Sequence, residues 1–159
     1  MLMNRIQRDT RLGVGEEDER MKQGNVTSVI VERLSSGRDI LEGLNELVDA
    51  KNITGADFTA IGAVSRAVVG FFVGRGQYSE KLFEGPLEIV SCVGNVSVKE
   101  NQPFIHAHIS LADHKGNVFG GHLLPGCQVA ATFEVIFHVH DTAMNRTLDS
   151  KTGLFLLDT

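Results

Sequence analysis

Residues 103–126 constrain the fold of this chain most strongly, because apolar and polar side chains alternate on both sides of a short polar segment. Alternation with a period of two is typical of β-strands that bury one face. Residues 114–116 end in glycine, which suits the left-handed position of a three-residue hairpin loop. A two-residue loop would mix apolar and polar residues on each face. The pattern therefore predicts a β-hairpin in which Asp113 pairs with Asn117.

Three histidines of this hairpin are predicted to share its polar face. His106 and His108 are two positions apart and project to the same side of their strand. The predicted pairing places His122 opposite His108 and one diagonal step from His106. Imidazole nitrogens at this spacing suit one divalent transition metal such as zinc, held about 2.0–2.1 Å from each nitrogen with a fourth position open. The alternative, which the sequence leaves open, is three polar side chains on a solvated or subunit-facing surface.

The clearest helical pattern follows a β-branched segment at residues 25–34. Apolar side chains recur at helical spacing between residues 40 and 48. Ser36 is the predicted N-cap, Asp39 lies three residues later as in a capping box, and Asn52 is the predicted end. We expect one main amphipathic helix packed on a sheet.

The remaining periodic segments predict strands joined by short connections, which indicates an α+β (α/β) domain with a mostly antiparallel sheet. Residues 1–24 have few apolar side chains and are predicted to form an N-terminal tail or arm, and residues 25–159 a single domain. The predicted strands are residues 25–34, 57–63, 67–73, 87–93, 104–111, 118–124, 129–140 and 153–157.

Charge, hydropathy and cysteine content indicate which partners and which cellular location to expect. Lys and Arg number 15 against 20 for Asp and Glu, which gives a net charge of −5 and an isoelectric point of about 5.6. Chains that bind phosphate backbones are normally basic, so the charge does not support direct DNA binding. No signal peptide and no run of about 18 apolar residues is found, so no membrane contact is expected. Cys92 and Cys127 are expected to be reduced, which favours the cytoplasm.

Glu134 is the candidate general base, on the condition that its strand, residues 129–140, lies against the hairpin. The alternative is a solvated glutamate on a polar strand face. His138 and His140 share that face and, at the end of the strand, are expected to be surface residues.

Three segments resemble the PPC domain ("plants and prokaryotes conserved"), in its stand-alone prokaryotic form. The resemblance implies an antiparallel-sheet fold assembled as a homotrimer. It also implies, for some prokaryotic members, a metal site at the histidines that match His106, His108 and His122. Plant members carry AT-hook motifs that bind A·T-rich DNA, and stand-alone members are described as DNA-binding by analogy; this chain has no R-G-R-P hook. The segments are GADFTAIGAVSRAVVGFF (55–72), GPLEIVSCVGNVS (85–97) and HISLADHKGNVFGGHLLPG (108–126).

Two functions follow as hypotheses. The first is a homotrimeric metal-binding module with a regulatory role, which reaches DNA, if at all, through a local patch or a protein partner. The second is a zinc-type enzyme in which the three histidines hold the metal, a metal-bound water is the nucleophile and Glu134 is the base. No phosphate-binding loop or dinucleotide motif occurs, so no substrate is indicated.

Overall fold

Two long strands in the middle of the chain organise the sheet. The computed structural model describes residues 22–158. Six strands form one antiparallel sheet in the order β1-β6-β2-β3-β4-β5, and β5 also pairs with the second half of β2, so the sheet curls back on itself. The last two strands form a separate two-stranded sheet. The elements are β1 (Val26–Ser35), α1 (Ile40–Lys51), β2 (Ala56–Gly74), β3 (Gln77–Lys99), β4 (Gln102–Ala112), β5 (Val118–Leu123), β6 (Gln128–His140), β7 (Arg146–Asp149) and β8 (Leu154–Leu157).

The mostly antiparallel sheet with one helix agrees with the predicted class, although the α+β label fits loosely. The helix has only 12 residues, so the fold is dominated by β-structure. The predicted strands 57–63 and 67–73 are one continuous strand, β2, whose pairing is irregular around Gly62. Residues 77–86 were not expected to be a strand, yet they form the exposed first half of β3. Their mostly polar side chains show no strand pattern in the sequence. They form a strand because their backbone pairs with the second half of β2.

The helix begins later than its sequence pattern predicts. Asp39, not Ser36, is the N-cap, and its carboxylate accepts a hydrogen bond from the backbone N–H of Glu42 at 3.0 Å. The other carboxylate oxygen accepts the backbone N–H of Gly126 at 2.6 Å. This second bond links the start of the helix to the connection between β5 and β6. The link explains why Asp39 and not Ser36 is the N-cap. Asn52 ends the helix in the left-handed conformation, as predicted.

The core lies between the helix and the concave face of the sheet. The apolar stripe of α1 is buried against β4 and β6. The largest fully buried side chains of the core include Phe58 of β2 and Phe133 and Phe137 of β6. Each of them stabilises the fold by about 1.5–3 kcal/mol through burial. Within residues 22–158 no helix is both long and apolar enough to cross a membrane.

The opposite face of the sheet exposes apolar side chains, which we call the outer apolar face. Val31, Ile61, Val90 and Ile136 line one shallow depression across β1, β6, β2 and β3. Val31 is 71% exposed and Ile61 58% exposed. Contiguous exposure of this kind is typical of an interaction surface.

The predicted tail, residues 1–24, lies almost wholly outside the described residues. Regular structure begins at Val26, the first residue of β1. The division between the tail and the domain therefore stays a prediction.

Candidate metal centre

The β4–β5 hairpin has the predicted register. His108 lies opposite His122, and the Asp113 N–H donates a hydrogen bond to the Asn117 carbonyl at 3.1 Å. Gly116 has a φ of 81°, the left-handed value that the three-residue loop requires. The alternate residues of β4 are buried, so the polar face of the hairpin points away from the helix.

The hairpin brings together all three histidines that were predicted to form a site; we call them the three-histidine cluster. The ring centroids of His106 and His108 are 5.4 Å apart, those of His106 and His122 are 5.1 Å apart, and those of His108 and His122 are 5.4 Å apart. One ring nitrogen from each residue lies within 4.8 Å of the others. His108 is exposed, whereas the other two are partly buried.

This arrangement fits a tetrahedral metal ion. Nitrogens bound about 2.0–2.1 Å from a tetrahedral ion are about 3.4 Å apart, so ring movements on the order of 1 Å close the site. The His122 Nδ1 is buried and has no hydrogen-bond partner among residues 22–158. An orphaned imidazole nitrogen of this kind costs free energy, and an ion or ligand bound at this nitrogen would remove that cost.

Desolvation keeps two of these rings neutral. Burial, followed by the charge of Arg146 and by the neighbouring histidines, lowers the pKa of His106 to about 4. Burial and then His108 and Arg146 also lower the pKa of His122. Neutral imidazole is the form that binds metal, so neither ring must lose a proton at neutral pH.

Arg146 is a residue of the site that the sequence does not predict. It begins β7, is 9% exposed, and its Nη2 lies 3.4 Å from the Nδ1 of His106. Its guanidinium donates hydrogen bonds to Ser97 Oγ (2.7 Å), Phe155 O (2.8 Å) and Asn95 Oδ1 (2.8 Å). These bonds fasten the β7–β8 hairpin beside the cluster. No local pattern marks an arginine whose partners are about 10 to 50 positions away.

The β7–β8 hairpin, the β2–β3 turn, the ends of β3 and β4, and His122 of β5 line a half-open cavity of about 260 Å³. His106 and His122 form part of its wall, and Tyr78 stacks on His122 with ring centroids 4.8 Å apart. Lys99 and Arg146 also line it. The cluster therefore faces a pocket as well as open solvent.

Comparison with known proteins identifies the family. A family model described as the Plants and Prokaryotes Conserved (PCC) domain matches residues 21–141. The chain belongs to this family. The resemblance of three sequence segments to the PPC domain is thereby confirmed.

Solved structures similar to this PPC-domain chain carry different descriptions. A metal-containing protein from Archaeoglobus fulgidus is 37% identical, with a TM-score of 0.77 over 86% of this chain and 99% of that one. A plant- and prokaryote-conserved (PPC) protein from Pyrococcus horikoshii is 27% identical, with a TM-score of 0.79 over 87% and 96% of the two chains. A protein from Ralstonia eutropha JMP134, described as a candidate DNA-binding protein, is 30% identical, with a TM-score of 0.75 over 81% and 90%.

A curated relative, the bifunctional protein GlmU of Synechococcus sp. (strain JA-2-3B'a(2-13)), is 30% identical over 105 residues. The match covers 65% of the PPC-domain chain but only 16% of the relative, so the chain spans about a sixth of the length of the curated relatives it matches.

Glu134 is not brought to the three-histidine cluster. It is exposed on β6, paired with Arg33 of β1 and Ile61 of β2, and its carboxylate accepts a hydrogen bond from Thr132 at 3.3 Å. In the sheet of the PPC domain, β2 and β3 lie between β6 and β4. The condition on which its role as a base depended, a strand lying against the hairpin, is not met.

His138 and His140 form a separate cluster with Asp57. The Asp57 carboxylate lies 3.0 Å from the His138 Nδ1 and 2.8 Å from the His140 Nε2. Burial raises the pKa of this carboxyl, but hydrogen bonds from both histidines outweigh it and lower the pKa overall. The cluster is half-exposed at the end of β6, in agreement with the predicted surface position of the two histidines.

Proposed function

We propose that this chain is a homotrimeric PPC-domain protein that binds one divalent transition metal at the three-histidine cluster. The observation that supports this most strongly is the convergence of three ring nitrogens within 4.8 Å on one β-hairpin. His106, His108 and His122 would be the ligands. The neutral state of His106 and His122 and the orphaned His122 nitrogen favour the same proposal.

The donor set favours zinc over calcium or magnesium. Three imidazole nitrogens suit zinc and other late transition metals, whereas calcium and magnesium prefer oxygen ligands. The Archaeoglobus fulgidus relative, described as a metal-containing protein, is compatible with this choice. With three protein ligands, the ion would keep a coordination position for a further group and supply Lewis-acid chemistry there.

Elemental analysis of the purified full chain tests the metal proposal. We expect about one zinc per chain, and we expect His108→Ala to lose it while retaining a wild-type circular dichroism spectrum. The matched control is His114→Ala, because His114 is exposed in the hairpin turn and lies outside the cluster. Full occupancy in the His108→Ala protein would place the metal elsewhere and contradict the proposal.

The homotrimer is supported by the family resemblance and by the outer apolar face. Val31 and Ile136 are paired neighbours on β1 and β6, and both expose apolar surface that a second copy of the chain would cover. We expect sedimentation to show a trimer that Val31→Lys dissociates. Val118→Lys, on a valine that is 64% exposed but does not line that face, should leave the assembly intact. A wild-type monomer would contradict the proposal.

A regulatory role connected with DNA is the family-based part of the proposal. The description of the Ralstonia eutropha relative as a candidate DNA-binding protein favours this role, but the net charge of −5 disfavours direct binding to the DNA phosphates. We therefore propose that any contact with DNA passes through a protein partner, in the cytoplasm. Fluorescence anisotropy with duplex DNA at low salt should show no binding; tight binding that weakens steeply with salt would contradict this view.

A metal-dependent enzyme is the second candidate function. The observation that favours it is the cavity of about 260 Å³ beside the cluster, which gives a small molecule access to the metal ligands. This version needs a base other than Glu134, which lies on a strand away from the cluster. A hydrolase screen of the zinc-loaded protein tests it, and activity that survives in the metal-free His108→Ala protein would contradict it.

A further inference from the structure

Among residues 22–158, the side chains that line the cavity beside the three-histidine cluster include positively charged but no acidic ones; we call this cavity the cationic pocket. Its charged residues are Arg146 and Lys99. We propose that this pocket binds a small organic carboxylate, whose charged group lies at Arg146 and whose apolar part packs on the aromatic wall. The proposal deepens the proposed metal function, on which one of its arguments rests. The remaining lining residues are Gly76, Tyr78, Phe104, His106, His122, Gly153, Leu154, Phe155 and Leu156.

Within the part of the chain that the structure describes, Arg146 lacks the carboxylate partner that a buried positive charge normally has. It is 9% exposed, and its hydrogen bonds go to Ser97, Asn95 and Phe155, which are all neutral acceptors. Among the described residues no carboxylate forms an ion pair with it, as the ion pairs of residues 22–158 involve other groups. Burial of an unpaired charge is costly, and an anion offsets that cost.

The guanidinium also retains donors for a ligand. Arginine has five N–H groups, of which three are used by the neutral acceptors. Nη1 therefore keeps one unused N–H, whereas the second N–H of Nη2 points to the His106 Nδ1 at the weak distance of 3.4 Å and becomes available when a ligand replaces that contact. Donors on two nitrogens of a planar guanidinium match the two oxygens of a carboxylate.

A bound metal would increase the demand for an anion. A divalent ion held by three neutral imidazoles keeps its full charge, and Arg146 touches one of those imidazoles. Like charges in a partly buried site repel strongly, and no acidic residue among the described residues of the cluster or pocket compensates them. A carboxylate placed between the ion and Arg146 would neutralise part of this charge.

The walls of the pocket distinguish a carboxylate with an apolar part from inorganic phosphate. The Lys99 Nζ lies over the rings of Phe155 and Phe104, 4.1 and 5.4 Å from their centroids. Leu154 and Leu156 complete an apolar side. The volume of about 260 Å³ is just below the range of pockets for drug-sized ligands, which favours a small ligand.

An NMR titration of the full ¹⁵N-labelled chain tests the proposal, with isobutyrate as the probe. Isobutyramide has the same shape without the charge, and inorganic phosphate has the charge without the apolar part. We expect saturable shifts of Leu154 and Phe155 with isobutyrate in the zinc-free protein, tighter binding in the zinc-loaded protein, and at least tenfold weaker binding of isobutyramide. Phosphate or isobutyramide binding as tightly as isobutyrate would overturn the assignment.

Two variants locate the bound charge. Lys99→Met retains most of the side-chain stem, and Arg146→Lys retains the charge without the planar fork; each should weaken isobutyrate binding about fivefold or more. Lys151→Met, in the exposed β7–β8 turn, is the matched control and should bind like wild type. Unchanged affinity in both pocket variants would overturn the proposal even if one of them folds poorly.

The metal and carboxylate proposals fail separately. Isobutyrate binding by a protein that takes up no zinc would support the pocket and remove the metal. Stoichiometric zinc without saturable isobutyrate binding to either form would overturn the pocket and leave the metal site standing.

Discussion

Two buried thiols should make the fold lose stability at alkaline pH. Cys92 and Cys127 are both fully buried and unpaired in a disulfide. Burial, with a smaller contribution from Cys127, raises the pKa of the Cys92 thiol from 9.0 to about 12. Burial likewise raises the pKa of Cys127 to about 11. Because the folded thiols hold their protons more tightly than the unfolded ones, this contribution to stability is complete below about pH 9 and is lost as the pH rises from there through the folded pKa values of about 11 and about 12.

The size of the loss at pH 10 follows from the same values. An unfolded thiol with a pKa of 9.0 gains about 1.4 kcal/mol by ionising at pH 10, whereas a folded thiol with a pKa of 11 or more gains almost nothing. The two cysteines together should therefore lower the free energy of unfolding by about 3 kcal/mol between pH 7.5 and pH 10. The result is insensitive to how far each folded pKa exceeds 11.

Urea unfolding at the two pH values, with a reductant present, measures this loss. Cys92→Ala and Cys127→Ala should each be less stable than wild type at pH 7.5, because they leave cavities. Each should nevertheless lose about 1.4 kcal/mol less than wild type between the two pH values, because every other titrating group is shared. Equal losses in wild type and both variants would show that the folded thiols ionise freely, which would refute the argument from burial.

Two further predictions concern the stability of the fold, one at the N-cap of the helix and one at two glycines of β2. In urea unfolding, Asp39→Ala should lower the free energy of unfolding by about 1–2 kcal/mol, because it removes the helix cap and the hydrogen bond from Gly126. Asp39→Asn can still cap the helix and should lose less stability. Equal losses in the two variants would contradict this reasoning. Gly62→Ala should cost more than Gly74→Ala in the same assay. Both positions have positive φ, but a Cβ at Gly62 would lie 2.1 Å from the Thr132 carbonyl oxygen, whereas one at Gly74 meets nothing within 4 Å. A larger loss for Gly74→Ala would contradict it.

The part of the fold that the sequence predicts well is the part governed by local rules. The alternation of residues 103–126 and the glycine of their turn determine which residues pair, so the facing positions of His108 and His122 could be predicted. The helix start could not be predicted in this way. Ser36 and Asp39 are both good caps, and the choice between them depends on the contact of Asp39 with Gly126, which is distant in the sequence.

In the candidate site, too, the sequence predicts the residues that local periodicity relates and does not predict those that only distant strand pairing brings together. Its three histidines lie on one hairpin, where strand periodicity relates them. Glu134 had the right chemistry on a polar strand face, but its distance from the hairpin depends on the order of the strands, which periodicity does not give. Arg146 was missed for the opposite reason. It lies outside every predicted strand, and its place beside His106 results from pairing between distant segments.

The two halves of the site therefore differ in where they lie along the chain. The three histidines fall within residues 21–141, which match the family model, whereas Arg146 and the leucines of the cationic pocket follow that region. The register of the β4–β5 hairpin sets His108 opposite His122, and β7 adds only the weak contact of Arg146 with His106. Since the C-terminal hairpin supplies Arg146 and one wall, changes there can alter the charge and size of the pocket while leaving the backbone pairing of His108 with His122 in place. It follows that the match to the family model covers the proposed metal ligands, whereas the proposed carboxylate site depends also on residues 142–158 of this chain.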